Sequence, residues 1–295
     1  MTIFKGLEDI VQKDFPLGPM TTFGIGGKAQ YFVRPRTEDE LREIVERCAK
    51  KKLDIHTIGR GSNVLVRDEG VRGAVVQLDP KAFGRITIEE DLLRAGAAAP
   101  LPKVVAEAAR QSLSGVECLV GIPGSVGGGV RMNVGGAYGD IGQTVERVKV
   151  MDAHGETFCR EREDLAFGYR TSNVSARFIL EAELRLLPDS IAAISKRMKK
   201  IWIAKKNSQP MSAATAGCAF KNPRGLAAGL LIDQAGLKGT AVGGAAVSHK
   251  HANFIIVRDK QQTKAADVLA LIEQVRNAVK DRFDVYLELE IEIWP

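Results

Sequence analysis

Several short stretches combine residue types that could carry chemistry. Gly59-Arg60-Gly61-Ser62-Asn63 is one. Two glycines let a backbone approach a phosphate, and Ser62 and Asn63 add hydroxyl and amide donors to a run of N–H groups that can form an anion nest. The same residues also suit a tight turn between two strands. The third glycine and the following helix of a dinucleotide fingerprint are missing, so a Rossmann site is excluded. A second stretch, GIPGSVGGGVRMNVGGAYG, runs from Gly121 to Gly139, and nine of the 22 positions from 121 to 142 are glycine. Pro-Gly-Ser followed by three glycines offers bare N–H donors at the ~2.9 Å spacing a pyrophosphate requires. One bound dinucleotide would explain both loops. Arg131, inside the second, reads either as a phosphate partner or as a solvated charge.

Other candidates lie further along. Tyr169 stands beside Arg170 in FGYRTS. An arginine fork pairs bidentately with a carboxylate or phosphate, and also serves in ordinary surface ion pairs. Cys218 sits among small residues in GCAFKNP, where it reads as a nucleophile, an acid or an inert thiol. His249 and His251, two apart in VSHKHANF, lack the second ligand pair of a metal site, so no metal is expected. With Lys238 they form a basic area suited to a diphosphate. Glu288, Glu290 and Glu292 alternate with apolar residues, as in a half-buried strand with an acidic outer face. One of these carboxylates could still reach a cleft.

The elements that must position these residues are legible from periodicity. Thr37 caps a helix in a capping box with Glu40, and Leu41, Ile44, Val45 and Cys48 share its inner face. Ile55–Ile58, Val64–Val66 and Ala74–Leu78 read as strands. Leu101, Val104, Val105 and Ala108 line a second helix that ends near Gly115. A hairpin follows from Val145 through His154-Gly155 to Cys159, and Phe178 to Leu186 alternates as a strand does. Pro188-Asp189-Ser190 marks a boundary before a long helical face (Ile191, Ile194, Met198, Ile201). Helices near 226–235 and 263–282 and strands at 253–257 and 285–293 complete the chain. The expected organisation is 1–80 and 81–187 as two α+β subdomains and 188–295 as a further α+β domain.

The chain has 295 residues, 45% hydrophobic and 26% charged, an ordinary globular composition that excludes a disordered chain. No apolar run is long enough to span a bilayer, and the charged start predicts no secretory signal. Four scattered cysteines predict reduced thiols in the cytoplasm. A net charge of +6 favours an anionic partner. With aromatics at only 6% and no base-stacking strand, nucleic acid is not expected.

In order and spacing, TTFGIGG, GRGSNVLV, GIPGSVGGGVRMNVGGAYG, FGYRTS, GCAFKNP, AGLLIDQAGLKG, VSHKHANF and the final LELE resemble the UDP-N-acetylenolpyruvoylglucosamine reductase (MurB) family, in its compact type without substrate-domain insertions. The resemblance covers nearly the whole chain. It implies a fold of the vanillyl-alcohol oxidase (PCMH) type in two α+β subdomains that binds FAD, followed by a substrate domain. It implies NADPH as reductant, enolpyruvyl-UDP-N-acetylglucosamine as substrate, UDP-N-acetylmuramate for peptidoglycan as product, and a cytoplasmic monomer.

By family position, Gly59, Arg60, Gly61, Ser62, Asn63, Gly121, Pro123, Gly124, Ser125, Gly127, Gly128 and Asn133 hold the cofactor. Arg170 meets the substrate carboxylate. Glu290, protonated or bridging, also stabilises developing charge, which requires a raised pKa. Cys218 donates the proton, where serine is commoner in the family. A thiol is the stronger acid of the two and is open to oxidation. Leu289 stands where a proline often separates the two glutamates, and Glu290 is chosen over Glu288 by its place in the motif. Tyr169, Asn222, Lys238 and His251 match substrate contacts. The competing readings are another flavoprotein oxidase or dehydrogenase of the same superfamily and a nucleotide-binding protein without catalysis.

Overall fold

Two separate hydrophobic cores organise the computed structural model, which describes residues 3–295. They belong to two units that each gather distant parts of the sequence. The first holds the chain up to Lys13, Tyr31–Gly59 and Gly73–Ala204. The second holds Asp14–Gln30, Arg60–Arg72 and Lys205–Pro295.

In the first unit, five antiparallel strands lie in the order Thr157–Glu161, Val145–Met151, Phe178–Arg185, Leu92–Gly96, Ile86–Glu89. Phe178, Leu180, Ala182 and Leu184 are buried at period two, so the central strand turns one face to the core. Ile55–Thr57 pairs in parallel with the Ala74–Val76 part of Val71–Val76. The helix Glu38–Lys50 buries Leu41, Ile44, Val45 and Cys48. Thr37 Oγ1 accepts the Glu40 N–H at 3.1 Å, as expected of a cap. The reciprocal bond goes elsewhere: Glu40 accepts the Arg36 N–H at 2.6 Å and pairs with the Arg36 guanidinium, so the box closes one residue early.

The boundary expected at Pro188 does not coincide with the edge of this unit. The helix Ile191–Ser208 buries Ile194 and Ile201, and Ile201 joins the first core. Arg197 forks onto Glu117 at 2.7 and 2.9 Å and reaches Asp189 at 2.6 Å. Glu117 is only 8% exposed and also accepts the Gly115 N–H at 2.7 Å. A carboxylate so buried requires such partners, and they tie the start of the helix to the unit before it.

In the second unit, Ala241–Val242, Ala245–Val247 and Ile255–Val257 form an antiparallel sheet. The helix Ala265–Phe283 buries Val268, Leu271, Ile272, Val275 and Val279 at helical spacing. Asp68 accepts the Ala265 and Ala266 N–H groups, both at 2.9 Å, supplying this N-terminus with a carboxylate from a distant turn. The expected strand over 285–293 is divided. Leu289 bridges Phe220, and only Glu292–Trp294 forms a regular strand, parallel to Val64–Val66. The chain changes partners at Glu290, and this break shapes the site.

Candidate active site

The glycine-dense loop of the first unit is largely an internal frame. Ser125 precedes the short helix Val126–Arg131. The Val126 and Gly127 N–H groups donate to the Ala99 and Ala97 carbonyls, both at 2.9 Å. A Cβ on Gly127 would stand 2.9 Å from the Ala97 methyl, so this glycine lets the helix meet the neighbouring strand. Asn133, 4% exposed, accepts the Gly142 N–H and donates to the Gly168 carbonyl, each at 2.9 Å. Arg131 follows neither alternative read from sequence. Its guanidinium donates to the Val174 and Ala176 carbonyls, and burial pushes its pKa down from the ordinary value.

This frame carries Arg170. Phe167–Gly168 pairs with Thr171–Ser172, leaving Tyr169-Arg170 as the two-residue tip. Asn133 holds one arm at Gly168, and Ser172 Oγ donates to the Arg131 carbonyl at 3.0 Å on the other. Arg170 takes φ 56°, a left-handed conformation uncommon outside glycine. Its guanidinium lies 5.2 Å from the centre of the Tyr169 ring, and Tyr169 is 53% exposed.

The second unit brings Asn63, Cys218, His251 and Glu290 onto one hydrogen-bonded ladder. Cys218 bridges Phe254, and the Ala219 N–H donates to the Asn253 carbonyl at 2.8 Å. On the other side, the Glu290 N–H donates to the Ala219 carbonyl at 2.9 Å and the Lys221 N–H to the Glu288 carbonyl at 2.8 Å. Asn63 then takes over the acidic segment. Its Nδ2 donates to the Glu290 carbonyl at 3.0 Å, and its carbonyl accepts the Glu292 N–H at 2.8 Å. Glu290 is half-buried, whereas Glu288 and Glu292 are exposed. In the same loop Gly61 has φ 60°, and a Cβ there would fall 2.1 Å from the Met20 carbonyl oxygen, so only glycine fits.

The basic area also forms here. Lys238 pairs with Asp233 at 2.6 Å. His251 Nδ1 accepts the Asn253 N–H at 3.2 Å. Burial first, and Lys238 second, hold His251 below its ordinary pKa. Asn222 Oδ1 accepts the Ala228 N–H at 3.0 Å, fixing the start of Ala228–Gln234. His249 is exposed, and a Cβ on Gly239 would strike its ring at 2.3 Å. Among the described residues, no cluster of three or more His, Cys, Asp or Glu could hold a metal, and no helix is long and apolar enough to cross a membrane. None of the four cysteines forms a disulfide. Burial pushes the Cys48 thiol up to about 11.

Comparison with known proteins decides the family. Residues 209–294 match the UDP-N-acetylenolpyruvoylglucosamine reductase C-terminal domain, and residues 29–159 match an FAD binding domain. The UDP-N-acetylenolpyruvoylglucosamine reductase of Moorella thermoacetica is 41% identical over 290 residues, 98% of this chain and 95% of that one. The chain belongs to the UDP-N-acetylenolpyruvoylglucosamine reductase family. The crystal structure of the Thermus caldophilus reductase (MurB) superposes with a TM-score of 0.84 at 38% identity, over 97% of this chain and 99% of that one. A likeness of fold alone extends to Phl p 4.0202, a glucose dehydrogenase, with a TM-score of 0.50 at 16% identity over 64% of this chain and 45% of that one. Reductase family and vanillyl-alcohol oxidase-type fold therefore stand as expected from the motifs.

The residues present fit the cofactor of this reductase family. Within the first unit, a Cβ on Gly59 would fall 2.4 Å from Ser125 Oγ, so a side chain there would fill the space beside the Ser125 hydroxyl. Gly59, Pro123 and Gly128 are exposed beside it, and the nearest atom to a Cβ on Gly128 is 3.7 Å away. Packing within the chain therefore does not require glycine at position 128, whereas it does at 127. Asn253 lies inside VSHKHANF, yet its type alone points to no role there. Its side chain carries no charge, and only the structure shows its double hydrogen bond to Phe220.

Proposed function

We propose that this chain is the NADPH-dependent, FAD-containing reductase that converts enolpyruvyl-UDP-N-acetylglucosamine to UDP-N-acetylmuramate. The observation that carries this reading is the ladder on which Cys218 and Glu290 occupy adjoining segments, joined by the 2.9 Å bond between Glu290 and Ala219. FAD, when bound, relays hydride from NADPH to C3 of the enolpyruvyl group. The tasks left to the protein follow from that chemistry. Charge develops beside the substrate carboxylate and requires preorganised stabilisation, and C2 requires a positioned proton.

In this reading Arg170 grips the carboxylate with its planar fork. Its left-handed backbone and the Asn133 brace limit how far the hairpin tip can wander. Glu290 faces the developing charge, and Cys218 Sγ–H supplies the proton to C2. Lys238 and neutral His251 serve the diphosphate, with Tyr169 and Asn222 as further substrate contacts. The loops at Gly59–Asn63 and Gly121–Asn133 hold the cofactor phosphates. The residues before Pro188 then form the cofactor-binding part and the last hundred the substrate-binding part. The enzyme works as a cytoplasmic monomer with no nucleic-acid partner.

Anaerobic absorbance tests the reading. NADPH should bleach the flavin band at about 450 nm, and enolpyruvyl-UDP-N-acetylglucosamine should restore it. Bleaching without recovery would assign the chain to a flavin reductase with another acceptor. Absence of the band after FAD is supplied would leave the fold without the activity.

A further inference from the structure

Asn253 occupies the centre of the second-unit ladder and is 2% exposed. Every polar group of this residue is engaged by a segment carrying a proposed functional side chain or by that side chain itself. Its main-chain carbonyl accepts the Ala219 N–H at 2.8 Å. Its Oδ1 accepts the Phe220 N–H at 3.0 Å, and its Nδ2 donates to the Phe220 carbonyl at 2.8 Å. The side-chain amide thus acts as one more rung of sheet, engaging both main-chain polar groups of Phe220, which is 1% exposed. Cys218 lies immediately before this clamped pair. The Asn253 N–H points the other way, to His251 Nδ1 at 3.2 Å. An accepting Nδ1 places the proton of the neutral ring on Nε2.

We propose that Asn253 is a positioning residue for both ends of the substrate. Its side chain sets the Cys218 thiol through the Phe220 main chain, and its main-chain N–H selects the His251 tautomer that offers Nε2–H to a phosphate oxygen. This rests on the reductase reading above. Asparagine suits the role because one planar group must both accept and donate. Aspartate has the same outline and no donor for the Phe220 carbonyl. Alanine has neither group. The imidazole is kept neutral by its surroundings, so it contributes a directed hydrogen bond, and orientation decides what such a bond delivers.

The test uses Asn253→Asp and Asn253→Ala holoenzymes in anaerobic rapid mixing, each half-reaction at saturating ligand. Reoxidation by enolpyruvyl-UDP-N-acetylglucosamine should slow by about 10- to 100-fold, the scale of an ångström-sized misplacement. Flavin reduction by NADPH, which draws no proton from Cys218, should stay within about twofold. An equal fall in both steps would reduce Asn253 to a general structural residue, and an unchanged reoxidation rate would overturn its link to Cys218. Failure of the unsubstituted enzyme to reoxidise would instead strike the reductase reading. Should neither variant retain FAD, the unsubstituted holoenzyme decides. The ¹⁵N shifts of neutral His251 should report the Nε2–H form, and an Nδ1–H form would overturn the proposal.

Discussion

The glycine loop of the first unit and the ladder of the second both hold residues that look functional by type, yet they use them in opposite ways. In the loop, the conspicuous residues are mostly spent on the chain itself. Gly127 meets Ala97, Asn133 bridges Gly142 and Gly168, and Arg131 ties down Val174 and Ala176. Exposed residues here include Gly59, Pro123, Gly128, the Gly136-Ala137-Tyr138 turn and Tyr169, with Arg170 half-buried beside it. In the ladder, main chain and asparagine side chains carry the frame, and Cys218, Glu290 and His251 are carried by it. A loop must build its frame from special residues because it has no regular pairing to lean on. A ladder draws most of that frame from ordinary peptide groups and needs few special residues to build it.

The largest effect expected from this contrast falls on the ladder. Cys218→Ala should slow reoxidation of the reduced enzyme by substrate about 10²- to 10⁴-fold, the usual worth of a general acid. The NADPH step should be unchanged, and Cys218→Ser should recover much of the loss, since a hydroxyl can replace the thiol as donor. Equal reoxidation rates in Cys218→Ala and the parent would remove Cys218 from proton delivery and dissolve the contrast.

The next effect separates frame from face within the loop. A Cβ on Gly142 would lie 2.4 Å from the Phe167 ring and 2.7 Å from Asn133 Oδ1. Gly142→Ala should cost about 1–3 kcal/mol by overpacking, visible as a lower melting temperature of apoprotein. Gly128→Ala meets nothing nearer than 3.7 Å and should change apoprotein stability by less than about 0.5 kcal/mol. It should nevertheless weaken FAD binding measured by flavin fluorescence. If Gly128→Ala left FAD affinity untouched, Gly128 would not face the cofactor.

Much of this arrangement was legible in the sequence, for reasons that differ by element. The helix Glu38–Lys50 follows from its cap and apolar face, and Phe178–Arg185 from strict alternation, because both patterns are local. The ladder was not legible. The Ala219–Glu290 and Asn63–Glu290 bonds join segments 71 and 227 positions apart, and no periodicity encodes which distant strand a peptide meets. The acidic tail read as one strand because its alternation persists through Glu290, where the pairing partner changes. Arg131 and Asn133 drew attention by type, but only contacts distinguish a ligand from a brace. The boundary at Pro188 followed the Pro188-Asp189-Ser190 punctuation, whereas the Arg197–Glu117 fork and the burial of Ile201 carry the first unit through Ala204.

A smaller stability effect probes that fork. Glu117→Ala removes the buried acceptor shared by Gly115 and Arg197, and the Gly115 N–H, on an exposed residue, can turn to water. The expected loss is about 0.5–1.5 kcal/mol, the net worth of such hydrogen bonds. Arg197 itself is 43% exposed in its side chain, so its freed charge returns to water at little further cost. The fall in melting temperature should accompany unchanged rates in both half-reactions, because no group of the ladder or of the hairpin tip is touched. A rate change in either half-reaction would show that the frame of the first unit reaches the chemistry.

The smallest effect concerns charge around the ladder. Burial is the first cause that holds His251 below its ordinary pKa, and Lys238 is the second. Lys238 is itself paired with Asp233 at 2.6 Å, which offsets part of its field. Lys238→Met should therefore raise the His251 midpoint only slightly and leave it below the ordinary ~6.5. The sign of the stability effect follows from the direction of the shift. A histidine with a depressed folded pKa binds fewer protons folded than unfolded, so its contribution is full above about pH 6.5 and is lost as pH falls toward the folded value. The parent should thus lose melting temperature on acidification through this window slightly more steeply than Lys238→Met. An NMR titration of His251 reads the midpoint directly. A midpoint that stayed fixed would mean that burial by the ladder alone sets the neutral ring, and a midpoint that reached the free-histidine value would mean that the ladder contributes none of it.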